Sequence, residues 1–484
     1  MSISGALTNA LSGLGAAARA AEVVSSNLSN AMTEGYGRRT LSVSSQNYRA
    51  SGGVMVNGIV RHTNPVAVAE RRLADAAFGN ADTLNRYSVR VEGLLGTPSD
   101  ASSLSGRVAA LESALVAAAG APGNALRLQG VAQAASDLVD GFQDASDGLQ
   151  DMREQADRDI AVSVDRLNTL LARTAELNLR ISTAINQGQD TSALEDDRQK
   201  VVDDISKIVP VKQAARDRGG VALFTANGAI LVDGSAARLE FQETPTILPH
   251  MTLDTGYLSG LTVNGLNIRT DSASGPLSGG ILGAQFAIRD EMATAAQAEL
   301  DAVARDLVER FGATATDPTL TPGQAGLFTD RGAAFDPADE VGLSGRLSLN
   351  ALVAPDGAGE FWRLRDGLGA VSAGEAGNAT QLHRLSDALS QSRPPASGGF
   401  SGMAAPFSAL SDRFLSLQST SRVRSDETLS FAATRLAGLE AMELTEGVDS
   451  DQEMQKLMLI EQSYAANARL IATVDEMMQQ LLRL

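Results

Sequence analysis

The chain has 484 residues, with 40 Lys and Arg against 58 Asp and Glu, which gives a formal charge of −18. This acidic balance argues against nucleic acid or an anionic membrane as a partner. Cysteine is absent, which excludes a disulfide framework, a thiolate metal site and a cysteine nucleophile. The length predicts two to four domains. No membrane insertion is expected, because no stretch has the roughly 18 consecutive apolar residues of a membrane span.

The N-terminal segment has the repeat of a coiled coil. Apolar residues follow one another at alternating steps of four and three, at Ile3, Leu7, Ala10, Leu14, Ala17, Ala21, Val24, Leu28 and Ala31. Arg19 and Glu22 are the only charges before Glu34. Such a helix cannot bury its apolar seam alone, so we expect it to order only against a partner. A cleaved signal peptide is not expected, because a basic first region is missing.

The C-terminal segment has the same repeat. Its seam is formed by Leu457, Ile460, Tyr464, Asn467, Ile471, Val474, Met478 and Leu481. Asn467 is the one polar residue of this seam, and a buried seam Asn commonly sets the register of a coiled coil. The alternative is that the Asn467 side chain reaches solvent. The two ends of the chain therefore carry matching heptad helices.

The segments between the ends predict a mainly α-helical fold with an inserted β domain. Extended structure is predicted for 34–64, and Asn64-Pro65 opens the next helix. Helical periodicity then covers 66–95, 103–119, 130–187, 194–209 and 281–311, and it resumes near 404 and continues to the C-terminus. The long stretch at 130–187 indicates a rod-like helical bundle, to which both halves of the sequence contribute.

Two Asn-Gly pairs indicate β-hairpins in the middle of the chain. Asn227-Gly228 and Asn264-Gly265 each lie between short β-prone runs. Residues 312–378 and 391–402 are rich in turn-forming residues and are expected to be loop-dominated and surface-exposed.

These patterns divide the chain into four parts, which are nested along the sequence. The parts are a terminal coiled-coil assembly domain (1–64 and 447–484), a helical-bundle domain (65–209, 276–320 and 380–446), an inserted antiparallel β domain (210–275) and a loop-rich region (321–379).

No local motif for catalysis, a cofactor or a metal is present. His62, His250 and His383 are far apart in sequence, which excludes a short zinc motif. Gly13 and Gly15 imitate a dinucleotide fingerprint, but they lie inside a heptad helix with no preceding strand. The acidic clusters at 195–197 and 203–204 are interleaved with basic residues, which is typical of a solvated helix face. We therefore predict a protein that is not an enzyme and has no cofactor.

Both ends carry motifs that resemble those of bacterial flagellar axial proteins. The stretch from Val24 to Tyr36, which contains Asn27, Asn30 and Gly35, resembles the N-terminal signature of that family. The C-terminal stretch resembles its partner signature at 451–454 and 461–477. Ser29, Met32 and Glu34 depart from the family pattern.

Segments in the middle resemble one branch, the hook-associated protein 1 family. They are 102–106, 194–209, 226–234, 279–291 and 326–329. This resemblance implies a structural subunit at the junction between the flagellar hook and filament, outside the cell and exported without a cleaved signal peptide. The resemblance also implies that the terminal coiled-coil domain is the axial assembly domain and that the loop-rich region at 321–379 is a reduced outer domain. The implied partners are copies of itself in a ring, the hook protein, the adjoining junction protein of the filament and an export chaperone that binds near the C-terminus.

We expect the apolar seams to mediate assembly. The residues concerned are Leu7, Leu14, Val24, Leu28, Leu457, Ile460, Tyr464, Ile471, Val474 and Leu481, with Asn27, Asn30, Gly35, Tyr36 and Asn467 as further interaction residues. One alternative is that the seams form an ordinary core within one chain. Two other functions also stay open, namely another axial protein such as the hook or filament subunit, and a secreted enzyme or effector with axial-type ends.

Overall fold

The protein is mainly α-helical with small antiparallel sheets between the helices, as the sequence predicts. A computed structural model describes residues 3–33, 35–45, 52–97, 99–271, 275–445 and 447–482. The helices are α1 (Ile3–Ser29), α2 (Pro65–Leu95), α3 (Leu104–Ala119), α4 (Ala125–Asn186), α5 (Ser192–Ile208), α6 (Gly280–Ala287), α7 (Ala293–Gly312), α8 (Leu343–Arg346), α9 (Arg363–Asp366), α10 (Thr380–Ser390), α11 (Phe407–Thr445) and α12 (Ser450–Leu482).

The strands are short and form separate sheets. They are β1 (Arg38–Ser45), β2 (Val54–His62), β3 (Val211–Ala215), β4 (Val221–Thr225), β5 (Ile230–Asp233), β6 (Ser235–Ala236), β7 (Leu239–Glu240), β8 (Leu261–Val263), β9 (Leu266–Ile268), β10 (Phe328–Asp330) and β11 (Leu347–Leu349). β1 and β2 form a hairpin, β3 to β6 form one sheet and β7 to β9 another, and β10 pairs with β11. Each of these pairings is antiparallel.

Helix α4 is the rod of the molecule. It has 62 residues, so it is about 93 Å long at about 1.5 Å per residue. It begins at Ala125, earlier than the apolar periodicity indicates, because the Asn124 side chain accepts hydrogen bonds from the amides of Leu126 and Arg127 at 3.0 and 3.4 Å. Its first half packs with α2, α3, α7, α10 and α11 in one apolar core.

The small sheets at 211–268 pack on the second half of α4 and on α5. Leu171 of α4, Ile205 of α5 and Leu223 of β4 are fully buried in this second core. The Asn264-Gly265 turn between β8 and β9 has φ values of 52° and 78°, which is the left-handed backbone that two-residue hairpins require. The predicted hairpins at both Asn-Gly pairs are present.

The region at 312–378 is more tightly packed than the sequence indicates. Phe328, Leu343, Leu347 and Leu364 belong to the main helical core and are almost completely buried. The ring of Phe328 contacts that of Phe311 edge-on at 5.0 Å. The expectation of a surface-exposed region is therefore wrong for these residues. Short apolar runs between turns gave no periodic signal, yet they fill the space beside α4 and α7.

The predicted continuous helix from 404 to the C-terminus is interrupted. Helix α11 ends at Thr445 and α12 starts at Ser450. The Asp449 side chain accepts hydrogen bonds from the amides of Asp451 and Gln452 at 2.9 and 3.0 Å, so it caps the new helix. α11 packs along α2 in the body, whereas α12 packs along α1. None of the described helices is long and apolar enough to cross a membrane.

The core of the rod offers a matched pair of substitutions. Leu149 is fully buried in α4, whereas Leu126 in the same helix is 77% exposed. We expect Leu149→Ala to lower the free energy of unfolding by about 2–5 kcal/mol, because it leaves a cavity, and Leu126→Ala to change it by less than about 0.5 kcal/mol. Urea unfolding followed by circular dichroism measures both. Equal effects of the two substitutions would contradict the core assignment.

Candidate assembly interface

The two terminal helices form an antiparallel pair. Asn467 of α12 packs on Gly13 of α1, and Glu453 lies beside Asn27. The second contact is thus fourteen residues further along α1 and fourteen residues back along α12. Among the described elements, α1 is the one that packs along the length of α12.

The residues of the two predicted seams differ in burial. Val24 and Val474 are buried, at 6% and 3% exposure. Six others are half-buried in the same region, namely Leu7, Leu14, Leu28, Leu457, Ile460 and Ile471. Tyr464 and Met478 are exposed, and the side chain of Leu481 lies outside the described residues. The role of these residues in assembly stays a prediction.

The Asn467 side chain packs closely against Gly13 of α1. A Cβ atom on Gly13 would lie 2.9 Å from Asn467 Nδ2, which is closer than such atoms approach in proteins. The same Nδ2 donates a hydrogen bond of 3.0 Å to the carbonyl of Ser463 in its own helix. The half-buried Asn467 side chain therefore helps to set the register by close packing.

Asn27 is the buried centre of the interface and has no exposed surface. Its Nδ2 donates to the carbonyl of Arg39 at 2.8 Å and to Glu453 Oε2 at 2.9 Å. Its Oδ1 accepts from the Arg39 amide and from the Tyr36 hydroxyl, both at 2.9 Å. All four hydrogen-bonding positions of the carboxamide are thus used. Asn27 joins the end of α1, the hairpin and the start of α12.

Glu453 is 1% exposed and has three partners. Besides Asn27, it accepts hydrogen bonds from Arg38 Nε at 3.1 Å and from Lys456 Nζ at 2.7 Å. Burial by itself raises the pKa of this carboxyl, but the hydrogen bonds from Asn27, Lys456 and Arg38 outweigh it and hold the pKa below its ordinary value. Glu453 is therefore a carboxylate at neutral pH.

The Gly-Tyr turn after α1 is held by its neighbours. Asn30 Nδ2 donates to the carbonyl of Ser26 at 2.9 Å. Gly35 has φ of 75°, a left-handed conformation that favours glycine. The guanidinium of Arg39 lies 4.7 Å from the centre of the Tyr36 ring. Glu34, where the sequence departs from the family pattern, lies outside the described residues.

Asp196 of α5 connects this turn to the helical body. Its carboxylate accepts from Arg39 Nη2 and Arg61 Nε, both at 2.6 Å, and from the Gly37 amide at 3.0 Å. Asp196 is 6% exposed. The interpretation of its acidic cluster as a solvated face is therefore wrong for this residue. Its partners lie more than 130 residues away, so helical spacing could not reveal them.

Asp203 makes a second buried connection about two turns further along α5. It accepts from Arg71 Nη2 at 2.7 Å and Arg72 Nε at 2.6 Å, both on α2. Arg71 also pairs with Glu443 of α11 at 2.5 Å. Burial alone would lower the pKa of Arg71, but Asp203 and Glu443 raise it above its ordinary value. Asp203 is 3% exposed, so the solvated-face interpretation is wrong here as well.

The three histidines have separate environments, and His383 is exposed on α10. His62 Nε2 lies 2.7 Å from the Thr40 hydroxyl across the hairpin, and the ring of His250 meets that of Tyr257 edge-on. Within the described part of the chain, no three His, Asp or Glu side chains are grouped to hold a metal ion.

Much of the exposed surface of α12 is apolar. The exposed large apolar side chains of this helix are Met454, Met458, Leu459, Tyr464, Leu470, Met477, Met478 and Leu482. A surface of this kind indicates a contact with another protein.

Three family models match parts of this chain. The flagellar hook-associated protein FlgK helical domain matches residues 88–327. The flagella basal body rod protein model matches residues 7–36, and the C-terminal model of the flagellar basal body rod FlgEFG protein matches residues 444–484. The two terminal matches fall on α1 and α12, and the first falls on the rod and the inserted sheets.

Flagellar proteins from several bacteria are similar to this chain in sequence. The flagellar hook-associated protein 1 of Salmonella typhimurium is 31% identical over 244 residues, which are 49% of this chain and 44% of that protein. Its counterpart in Escherichia coli is 26% identical over 54% of this chain and 49% of its own length. These matches span about half the length of those relatives. The Bacillus subtilis protein of the same name is 21% identical over 98% of this chain and 97% of its own length.

A solved structure is also similar. The flagellar hook junction protein FlgK from Burkholderia pseudomallei has 20% identity and a TM-score of 0.45, over 54% of this chain and 46% of that chain.

The role of Asp196 can be tested by comparing a substitution at this residue with the same substitution at its exposed neighbour Asp197. We expect Asp196→Asn to weaken the attachment of the β1–β2 hairpin by roughly 3 kcal/mol, because it leaves Arg39 and Arg61 without their buried carboxylate. Hydrogen exchange of the hairpin amides should then be about a hundredfold faster. Asp197→Asn should leave exchange unchanged. Unchanged exchange in Asp196→Asn would show that the hairpin is held by other contacts.

Proposed function

We propose, from the similarity of this chain to the flagellar hook-associated protein FlgK helical domain and to proteins named flagellar hook-associated protein 1, that it belongs to that family and is a structural subunit of the bacterial flagellum at the junction of hook and filament. The middle of the chain carries the helical domain of that family, and both ends match flagellar rod families. The relatives are structural proteins, so no catalytic role is assigned to the chain and no cofactor is required.

The observation that carries this proposal is the arrangement of the terminal helices. α1 and α12 pair with each other, away from the main core of the rod, and α12 keeps a row of apolar side chains exposed. In a protein that acts as a single globule, these exposed apolar side chains would have no role and could be buried or replaced by polar ones. A polymer subunit needs them, because contacts between copies supply the missing burial.

The partners follow from the same role. They are other copies of the chain in a ring, the hook protein on one side and the adjoining junction protein on the other. An export chaperone would bind near the C-terminus, where α12 offers apolar side chains to a binding groove. The location that goes with these partners is extracellular, on the flagellum, and is reached by flagellar export.

The terminal helices are poorly suited to stand alone before assembly. α1 contains three glycines and two charges in 27 residues, so its intrinsic helix propensity is low. The buried apolar side chains of the seam between α1 and α12 are alanine and valine, which contribute less than larger ones, and its leucine and isoleucine side chains are only half-buried. Folding of these segments is therefore coupled to assembly, so that subunits order only at the growing structure.

Leu28→Asp tests the assembly role. Leu28 is half-buried in the last turn of α1, and a carboxylate there would be desolvated without a partner. We expect the variant to be absent from isolated flagella, while Leu126→Asp, an exposed change on α4, should be incorporated normally. Immunogold electron microscopy gives the measurement, and circular dichroism of the purified variant confirms that the body remains folded.

The labelling pattern of the unchanged chain decides between the functions. A single band between hook and filament supports the proposal. Continuous labelling along the hook or the filament would identify another axial subunit. Label that is absent from flagella but present in the medium would indicate a secreted enzyme or effector instead.

Coupled folding makes a separate prediction for the free subunit. We expect amides at 1–33 and 455–484 in the soluble monomer to exchange with solvent within seconds, because neither helix has its polymer contacts. Amides of α4 should be protected by several orders of magnitude more. Hydrogen exchange followed by mass spectrometry measures both regions in one sample. Strong protection of the terminal segments would show that the α1–α12 pair is stable before assembly.

A further inference from the structure

A small cavity lies where the β1–β2 hairpin meets the helical body. It is lined by residues of β2, the start of α2, α5 and β3, and its volume is about 230 Å³. Three arginines face one carboxylate among the described residues that line it, namely Arg61 of β2, Arg72 of α2 and Arg198 of α5 against Glu195 of α5. A tetrahedral oxyanion and a few waters fit this volume, since one water takes about 30 Å³ in the liquid. The lining of this cavity, here called the arginine cavity, therefore carries a net positive charge.

Gln199 of α5 holds two of these arginines in place. Arg61 Nη2 donates to Gln199 Oε1 at 2.5 Å, and Arg72 Nη2 donates to the Gln199 carbonyl at 3.4 Å. Arg72 Nη1 also donates to Gln213 Oε1 of β3 at 2.8 Å. Because both guanidiniums are already ordered, a ligand that contacts them loses little free energy to the ordering of side chains.

Arg198 has no paired carboxylate in the described part of the chain. Its Nη1 donates to Asn178 Oδ1 at 3.0 Å and to the Gly219 carbonyl at 2.6 Å, and both of these acceptors are uncharged. Its Nε and Nη2 have no protein acceptor among the described residues. These N–H groups can therefore donate to an anion in the arginine cavity.

The neighbouring arginines make Arg198 more favourable for an anion. Burial lowers the pKa of Arg198, the charge of Glu195 raises it, and the charges of Arg61 and Arg72 lower it further, so that the net shift is downward. Like charges around one cavity destabilise the folded chain, and an anion placed between them removes that cost.

The N-terminus of α2 adds to the positive potential. Pro65, Val68 and Ala69 of its first turns line the arginine cavity. The side chain of Asn64 already accepts hydrogen bonds from the first free amides of this helix. The helix therefore contributes through the partial positive charge of its N-terminus and not through free donors.

Glu195 distinguishes between oxyanions. Its Oε1 accepts a hydrogen bond from the Thr191 hydroxyl at 2.8 Å, and its Oε2 has no donor among the described residues. An ionised carboxylate accepts hydrogen bonds but cannot donate one, so it repels sulfate, which has no proton. Hydrogen phosphate has an O–H group that can donate to this carboxylate. The arginine cavity is therefore better suited to hydrogen phosphate than to sulfate.

We infer that the arginine cavity binds a divalent oxyanion, with hydrogen phosphate preferred over sulfate. The ion contacts guanidiniums of β2, α2 and α5 together, so it joins the hairpin to the helical body. This inference does not depend on the position of the chain in the flagellum. The cavity also lies outside the terminal segments 1–33 and 455–484, so the soluble full-length chain is suitable for the test.

Equilibrium dialysis with radiolabelled phosphate tests the inference. The full chain is dialysed at mildly alkaline pH against increasing phosphate, with chloride keeping the ionic strength constant because screening weakens charge interactions. We expect saturable binding of one phosphate per chain. Unlabelled phosphate should displace the label more effectively than sulfate, and chloride at the same ionic strength should not displace it.

A matched pair of substitutions locates the bound ion. Arg198→Gln should weaken phosphate binding by about tenfold or more, because a hydrogen bond between charged groups is lost. Arg86→Gln removes the same charge from an exposed position on α2 and should change the affinity by less than about twofold. Circular dichroism shows whether both variants are folded.

Glu195→Gln separates ion binding from damage to the fold. The substitution removes the carboxylate of the cavity but keeps an oxygen that accepts from Thr191. We expect sulfate to bind roughly fivefold more tightly, so that the preference for phosphate is lost. A damaged fold cannot produce this gain in affinity.

Two results would overturn the binding site. One is the lack of saturable phosphate binding by the unchanged chain, and the other is binding that a folded Arg198→Gln variant leaves unchanged, since the ion would then lie elsewhere. If Arg198→Gln does not fold, the sulfate affinity of Glu195→Gln decides instead, and an unchanged value would overturn the site. None of these results bears on the junction role, which the labelling of flagella tests.

Discussion

The terminal part of the molecule depends on one buried carboxamide. Asn27 has no exposure to solvent, and each of its hydrogen-bonding positions is used by the hairpin, the Gly-Tyr turn or Glu453. An unsatisfied buried amide would cost about 1–3 kcal/mol, so these three elements are stabilised only when all are in place. The end of α1, the start of α12 and the chain between them are therefore positioned together.

Helix α5 connects the terminal part of the molecule to the helical body. Its two buried carboxylates, Asp196 and Asp203, face arginines of the hairpin and of α2. Charged groups removed from water are stable only with good partners, which restricts how the terminal part can sit on the body. Apolar contacts alone are less directional and would restrict this arrangement less.

The pairing of α1 with α12 also changes which surfaces remain for other molecules. The seam predicted for assembly is occupied within the chain at Val24 and Val474. In the proposed assembly, contacts between copies use neighbouring faces, and exposed side chains such as Leu459 and Leu470 are suited to them. The apolar residues of α12 extend beyond the single stripe that contacts α1.

The sequence alone determined where helices and hairpins form and which face of each terminal helix is apolar. Heptad spacing, the Asn64-Pro65 helix start and the two Asn-Gly hairpins were readable because near neighbours decide them. The tertiary structure alone decided what these elements contact. It buried Asp196 and Asp203, filled the core with Phe328 and Leu343, and placed Asn467 on Gly13. Partners separated by more than a hundred residues leave no local periodicity, so only the folded chain can bring them together.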